Sequence, residues 1–369
     1  MSKTTTALPL ISIIIPTYNR ERYIRDAIDS IIAQSYSNWE IIIVDDCSSD
    51  NTSVIIEEYQ KYYPVTYLLT EKPASGASLA RNIGIQESHG EFIIFLDSDD
   101  LYYSDALMVL YKAHLEHPGC QVTQGFYTSV DVELNPIKTQ GIDLIPHPSG
   151  QGYLLPYGEE VNWEKLMRGQ VCASLTTCLI KREVFDTVGL LREDLRHWED
   201  YEYIVRIYKN YQQGLIPIPA YIVKYRAQPE STSRSAENNQ RMIHCYLSVL
   251  DNIFNDPELP QEIKSKWYSF AYSRVFRVLC RIQLKSGRNN EARTLAFKAI
   301  KHSSFSPKQW AFQLAPIVVQ SFLSPQVYEK LASMNRIAKL QILSLLRSMK
   351  DKSKVSTSQL PTINPGQNA

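Results

Sequence analysis

No apolar run in this sequence reaches the roughly 18–20 residues that span a bilayer. The opening MSKTTTALPL also lacks the apolar core of a signal peptide. Cysteine is scarce and unclustered. The six residues Cys47, Cys120, Cys172, Cys178, Cys245 and Cys280 form no CxxC pair, which argues against a disulfide scaffold and a structural zinc site. Neither sign of charge is in excess. Lys plus Arg and Asp plus Glu number 39 each, so the chain lacks a field that would condense it onto nucleic acid. What remains is an ordinary globular composition, 44% hydrophobic and 21% charged over 369 residues. The expectation is a reduced, cytoplasmic protein of two or three domains with no nucleic-acid partner.

The N-terminal half alternates strand and helix signals. Residues 10–16 (LISIIIP), 39–44 (WEIIIV) and 92–96 (FIIFL) are continuous apolar runs, the mark of strands buried on both faces. Residues 64–69 read as a further strand. Helical spacing is seen over 21–33, 52–62 and 77–88. This order predicts an α/β fold with a mostly parallel sheet built of βαβ units. Ligands then bind at the carboxyl ends of the strands, where Thr17–Asn19, Asp45–Asp46 and Asp97–Asp99 fall. Residues 118–160, rich in proline and glycine, read as a long loop region beside an acceptor groove. Strand and helix signals resume over 172–181, 181–188, 198–210 and 216–226. The polar stretch 228–239 marks a domain boundary, and beyond it the pattern is helical. The boundaries read from sequence are a flexible start at 1–8, a catalytic domain at 9–233, a helical domain at 234–353 and a polar, disordered tail at 354–369.

The strongest local signal is the DSDD turn, Asp97–Ser98–Asp99–Asp100. Three carboxylates in four residues repel one another unless a cation or donors compensate. Their hard oxygens suit Mg²⁺ or Mn²⁺. Taken alone, the same turn is explained by Asp100 capping the next helix. Asp45 and Asp46 fit a ribose or base contact, or equally an Asx-turn. Arg81, near the start of a helix, makes sense facing a ligand, or as a plain surface arginine. Glu199 and Asp200 suit either helix-start chemistry or a general base beneath Trp198.

Five motifs occur in order: ISIIIPTYNR, EIIIVDDCSSDNT, SGASLARNIG, FIIFLDSDD and HWEDYEYIVR. Together they resemble the inverting family 2 glycosyltransferases with the GT-A fold, over residues 9–233. The resemblance implies a Rossmann-like, mostly parallel sheet flanked by helices, followed by a helical region. It implies a hexosyltransferase-type enzyme with a nucleotide-sugar donor (UDP by default), a glycan or lipid-linked acceptor and a divalent cation, Mn²⁺ or Mg²⁺, serving surface polysaccharide or glycoconjugate assembly. Position by position, Pro16, Thr17 and Tyr18 would hold the base and Asp46 its edge. Arg81 would reach base or ribose, and Asp97 with Ser98 would line the nucleotide site. Asp99 and Asp97 would meet the metal. Asp200 would be the catalytic base, with Glu199 its neighbour and substitute. At an ordinary Asp pKa near ~3.9 this base is weak, so proton transfer would run late and concerted.

The resemblance has two departures. Gln228 stands where many relatives carry a metal-approaching His, and leaves a neutral, weaker ligand there. The run Gly189–Leu190–Leu191–Arg192–Glu193 replaces a GFDE-like segment facing donor sugar and acceptor. Gln228 is the feature that favours the alternative, a non-catalytic nucleotide-sugar-binding scaffold with the same fold. Residues 324–354 carry seven Lys and Arg against one Glu and one Asp, with apolar residues at three- and four-residue steps. Such a helix fits peripheral contact with an anionic membrane, or packing on protein.

Overall fold

The computed structural model describes residues 7–137 apart from 74, 161–167, 174–227 apart from 213, 236–285 and 289–301. Gln228, the basic stretch 324–354 and the tail from 354 lie outside the described residues. The chain packs as two compact units, Met1–Ala271 and Tyr272–Ala369.

The first unit is built on strands β1 (Ile11–Thr17), β2 (Trp39–Asp45), β3 (Val65–Leu69), β4 (Phe92–Phe95), β5 (Leu101–Tyr102), β6 (Val122–Val130), β7 (Cys178–Lys181) and β8 (Leu215–Arg226). They form one sheet in the order β3-β2-β1-β4-β7-β6-β8-β5. The first four run parallel. β7 is antiparallel to both of its neighbours, β6 and β8 are parallel, and β5 closes the edge antiparallel to β8. This is the expected α/β arrangement, mixed but mostly parallel.

Helices α1 (Ile24–Ile32), α2 (Thr52–Gln60), α3 (Ala77–Glu87), α4 (Ala106–Glu116), α5 (Trp163–Met167), α6 (Arg182–Val188), α7 (Glu199–Asn210) and α8 (Ala236–Asn255) connect or follow the strands. α1 buries Ile24, Ala27, Ile28 and Ile31 against a core that includes Ile11, Ile13, Ile15, Ile41 and Ile43. Each such side chain contributes about 1.5–3 kcal/mol when withdrawn from water. Alternation along β1 turns Ile14 to the opposite face, toward α3. There a Cβ on Gly84 would lie 2.4 Å from Ile14 Cγ2, so a glycine is what lets α3 approach the sheet.

The sequence reading places 118–160 in a loop, and the structure corrects this at its start. Val122–Val130 is a nine-residue strand, mostly buried. Its polar residues hid it, and they are satisfied internally: Thr123 Oγ1 donates to Leu110 O at 3.1 Å, and Gln124 Nε2 donates to Cys178 Sγ at 3.1 Å. The register with β8 also shifts on either side of Phe126, which breaks the alternation that reveals a strand. α9 (Gln261–Lys285) and α10 (Asn289–Lys301) follow α8. In the second unit Cys280 packs with Ala292 and Ala296. Among the described residues no helix is long and apolar enough to cross a membrane.

Candidate active site

The carboxyl ends of β1, β2 and β4 meet as the parallel sheet requires. The loops after β1 and β2 are zipped together: Asp46 N donates to Thr17 O at 2.8 Å, Asn19 N to Ser48 Oγ at 2.8 Å and Ser49 N to Asn19 Oδ1 at 2.8 Å. Asn19 takes φ +50° to close this zip. Thr17 is buried, and its hydroxyl finds no hydrogen-bond partner among the described residues. Pro16 is half-buried, and the Tyr18 ring is 44% exposed. The exposed Tyr18 and the buried Thr17 hydroxyl are thus successive residues at the carboxyl end of β1.

Asp46 is already engaged. Oδ1 accepts from Thr70 Oγ1 at 2.8 Å and Ser75 N at 2.9 Å, and Oδ2 from Gly76 N at 2.9 Å. These bonds fix the loop that leads into α3. Asp45 accepts from Ser48 N, three residues on, and from the Tyr67 hydroxyl. Gly76 sits at φ +96°, and a Cβ there would lie 2.0 Å from Arg196 Nη1.

α3 carries the central residue. Arg81 has only 4% of its side chain exposed and binds three carboxylates. Nη2 donates to Asp97 Oδ1 at 2.9 Å, and Nη1 to Glu199 Oε1 at 2.9 Å and Asp200 Oδ1 at 3.3 Å. Burial works against its charge, but Asp200, Asp97 and Glu199 more than offset that and raise its pKa. Both terminal nitrogens of Arg81 bind carboxylates, and its Nε finds no hydrogen-bond partner among the described residues. The planar fork joins two ends of the site in a way that a point charge could not.

Asp200 stands in the first turn of α7 with 20% of its side chain exposed, and its second oxygen accepts from Leu175 N at 3.1 Å. Burial pushes its pKa up, Arg81 pulls it down, and Glu199 and Asp97 push it up again, to about 7. The weak base expected from sequence is thus corrected. A carboxylate poised near neutrality is a competent proton acceptor.

In the acidic turn, Ser98 and Asp100 are buried, while Asp97 and Asp99 keep 37% and 26% of their side chains exposed. Arg20 Nε lies 3.8 Å from Asp99 Oδ2. Asp100 Oδ1 accepts from Arg226 N at 2.9 Å, and its Oδ2 is buried without a hydrogen-bond partner among the described residues. Burial, then Asp97, raises the pKa of Asp99, with Arg20 opposing. Burial, then Asp99 and Asp97, holds Asp100 well above the carboxylate range. Arg81 on Asp97 and Arg20 beside Asp99 bring positive charge to this turn. Among the described residues no three or more His, Cys, Asp and Glu side chains converge on one point. Two carboxylates, with phosphate and water completing the shell, is how Mg²⁺ and its like are held at phosphate sites, so Asp97 and Asp99 fit the ion.

Three features escaped the sequence reading. Asn82 donates through Nδ2 to Leu191 O and Glu193 Oε1 and accepts from Leu191 N, each at 2.9 Å. It pins the segment leading to Asp200, and its one signal is its place beside Arg81 in SGASLARNIG. Arg226 is buried with Nη2 on Asp26 Oδ2 at 2.8 Å. Trp198 opens α7 in the left-handed conformation.

Arg81 thus joins the acidic turn after β4 to the Glu199–Asp200 pair at the start of α7, on a GT-A-like fold. The profile of the family described as Glycosyl transferase family 2 matches residues 12–189. An uncharacterised glycosyltransferase of Haemophilus influenzae is 32% identical over 210 residues, covering 57% of this chain and 76% of that one. The chain belongs to glycosyl transferase family 2. The Escherichia coli UDP-Glc:alpha-D-GlcNAc-diphosphoundecaprenol beta-1,3-glucosyltransferase WfgD is 44% identical over 98 residues, 27% of this chain and 38% of that protein. The chain thus aligns with less than half of that relative's length. The mannosyltransferase PcManGT of Pyrobaculum calidifontis, solved with GDP-Man and Mn²⁺, shares the fold at TM-score 0.55 and 17% identity, over 90% of this chain and 86% of that one.

Proposed function

We propose that this protein is an inverting, divalent-metal-dependent glycosyltransferase moving a hexose from a UDP-sugar to a hydroxyl of a glycan or lipid-linked acceptor in surface polysaccharide assembly. The observation that carries the reading is Arg81, whose one guanidinium holds the donor-side Asp97 and the base-side Glu199 and Asp200. Donor and acceptor chemistry are thereby brought within reach of one another. The relatives supply the substrate classes: WfgD is named for a UDP-sugar and a diphosphoundecaprenol acceptor, and PcManGT was solved with a nucleotide sugar and Mn²⁺.

Thr17 and Tyr18 seat the base, and the loop held by Asp46 closes the nucleotide end. Asp97 and Asp99 would hold a divalent cation, which would supply Lewis-acid stabilisation for negative charge on a diphosphate. Asp200 takes the proton of the acceptor hydroxyl as its oxygen attacks the anomeric carbon from the face opposite the diphosphate. One such displacement inverts the configuration. Glu199 keeps Arg81 in place as Asp200 gains its proton and loses its hold on the guanidinium.

Calorimetric titration of UDP, GDP and dTDP, with and without Mn²⁺, tests the donor half. Metal-dependent binding of UDP is expected, and binding of none with metal present would overturn the reading. Asp200→Asn tests the other half. It should retain nucleotide binding and lose roughly 10²–10⁴-fold in kcat, the span of a general base.

A further inference from the structure

The helix α8 lies beyond the last strand, and its Tyr246 is buried against Trp198, with ring centroids 4.5 Å apart and planes at 40°. Trp198 is the residue immediately before the Glu199–Asp200 pair. It holds φ +69° and ψ +11°, left-handed backbone that a side chain with a Cβ disfavours. Its carbonyl accepts the first hydrogen bond of α7, from Glu202 N at 2.9 Å, so its dihedrals set where that helix begins and where the two carboxylates point. Such a conformation persists only when its surroundings over-determine it.

Two rings do so: Tyr201, edge-on at 6.2 Å, and Tyr246. Tyr201 belongs to α7 and moves with it. Tyr246 comes from a different element and packs on Tyr201 as well, at 5.9 Å. Of the two, it alone ties the Trp198 ring to something outside the catalytic helix.

We infer that Tyr246 is a positioning residue for the reaction: by packing its tilted ring on Trp198 it fixes the left-handed residue that aims Asp200 at the acceptor oxygen. The inference rests on the transferase reading above, and it makes α8 a working part of the catalytic unit. Tyr18, Asp97 and Asp99 sit on the ends of β1 and β4. Loosening Trp198 should therefore act on kcat and leave nucleotide binding alone.

The test uses full-length variants, with kcat, donor KM and UDP affinity measured for each. Tyr246→Ala should lose about tenfold in kcat at unchanged UDP affinity, and Tyr246→Phe, which keeps the ring, should recover most of it. Trp198→Gly should exceed Trp198→Ala by about tenfold in kcat, because glycine adopts the left-handed backbone without the Cβ penalty. That ordering is not expected if Trp198 serves only as a contact for the acceptor, since both variants lack the ring. If Tyr246→Ala does not fold, the Trp198 pair decides. An active wild type with Tyr246→Ala unchanged, or with Trp198→Gly no better than Trp198→Ala, overturns the inference alone. A wild type that binds UDP but transfers no sugar overturns the transferase reading and this inference with it.

Discussion

Strands β3, β2, β1 and β4 all run parallel and include isoleucine-rich runs in β1 and β2, whereas in the other half β7 and β5 run opposite to β6 and β8, and the strands carry Thr123, Gln124, Gly125, Pro217 and Pro219. The first half is held by apolar burial, which is non-directional and tolerant of small changes. The segments around the second half reach the first through directional groups: Arg81 to Glu199 and Asp200, Asn82 to Leu191, Asp100 to Arg226. The parallel half thus stands on packing, and the segment carrying Glu199 and Asp200 is attached to it by a polar seam. A seam of that kind is costly to break and responsive to pH, and the packed half should be neither.

The largest effect expected is at Arg81. Arg81→Ala leaves three carboxylates facing one another and should cost about 3–5 kcal/mol in a denaturant melt. Arg81→Lys, lacking the fork, should recover only part of it. Ile14→Val, fully inside the packed half, should cost about 0.5–1.5 kcal/mol. Equal losses at the two positions would erase the contrast.

The next effect is on pH. With Asp200 pushed up to about 7, kcat should rise about tenfold per unit toward that value and level above it. Stability should run the other way. Asp200, Asp99 and Asp100 all have raised pKa values, so the folded state holds protons that the unfolded chain releases above about 4. The unfolding free energy therefore falls as pH climbs from about 4 to 7. Asp200→Asn should flatten part of that slope, and melts across the range would show it.

A smaller effect than that at Arg81 is expected at Gly76. Its φ of +96° opposes any side chain, and Arg196 Nη1 occupies the space a Cβ would take. The arginine is exposed and flexible at its tip and can move, so the cost of Gly76→Ala is the backbone term, roughly 1–2 kcal/mol. Removing Arg196 as well should not rescue it.

The same contrast explains how far the sequence could be read. Strands β1, β2 and β4 are legible because strands buried on both faces need apolar residues at every position. The strand β6 is not, because its buried Thr123 and Gln124 pass for loop residues until their partners are known. The site residues could be named from their motifs. Their contacts could not, since the carboxylates on Arg81 lie 16, 118 and 119 residues away. For the same reason the raised pKa of Asp200 was invisible: it arises from burial and from charges brought together only by the fold.

The closing strand has a further consequence, for the order in which the site is assembled. The acidic turn lies between β4 and β5, yet β5 pairs with β8 alone, and Asp100 is fixed by the amide of Arg226, 126 residues further on. A chain emerging from the ribosome can pack β1 to β4 and zip the loops after β1 and β2 while the DSDD turn still lacks its far anchor. Contacts that span so much chain form late, because loop closure must come first. The loops after β1 and β2 should therefore mature before the DSDD turn, and a nascent chain stopped short of residue 226 would own the first without the second.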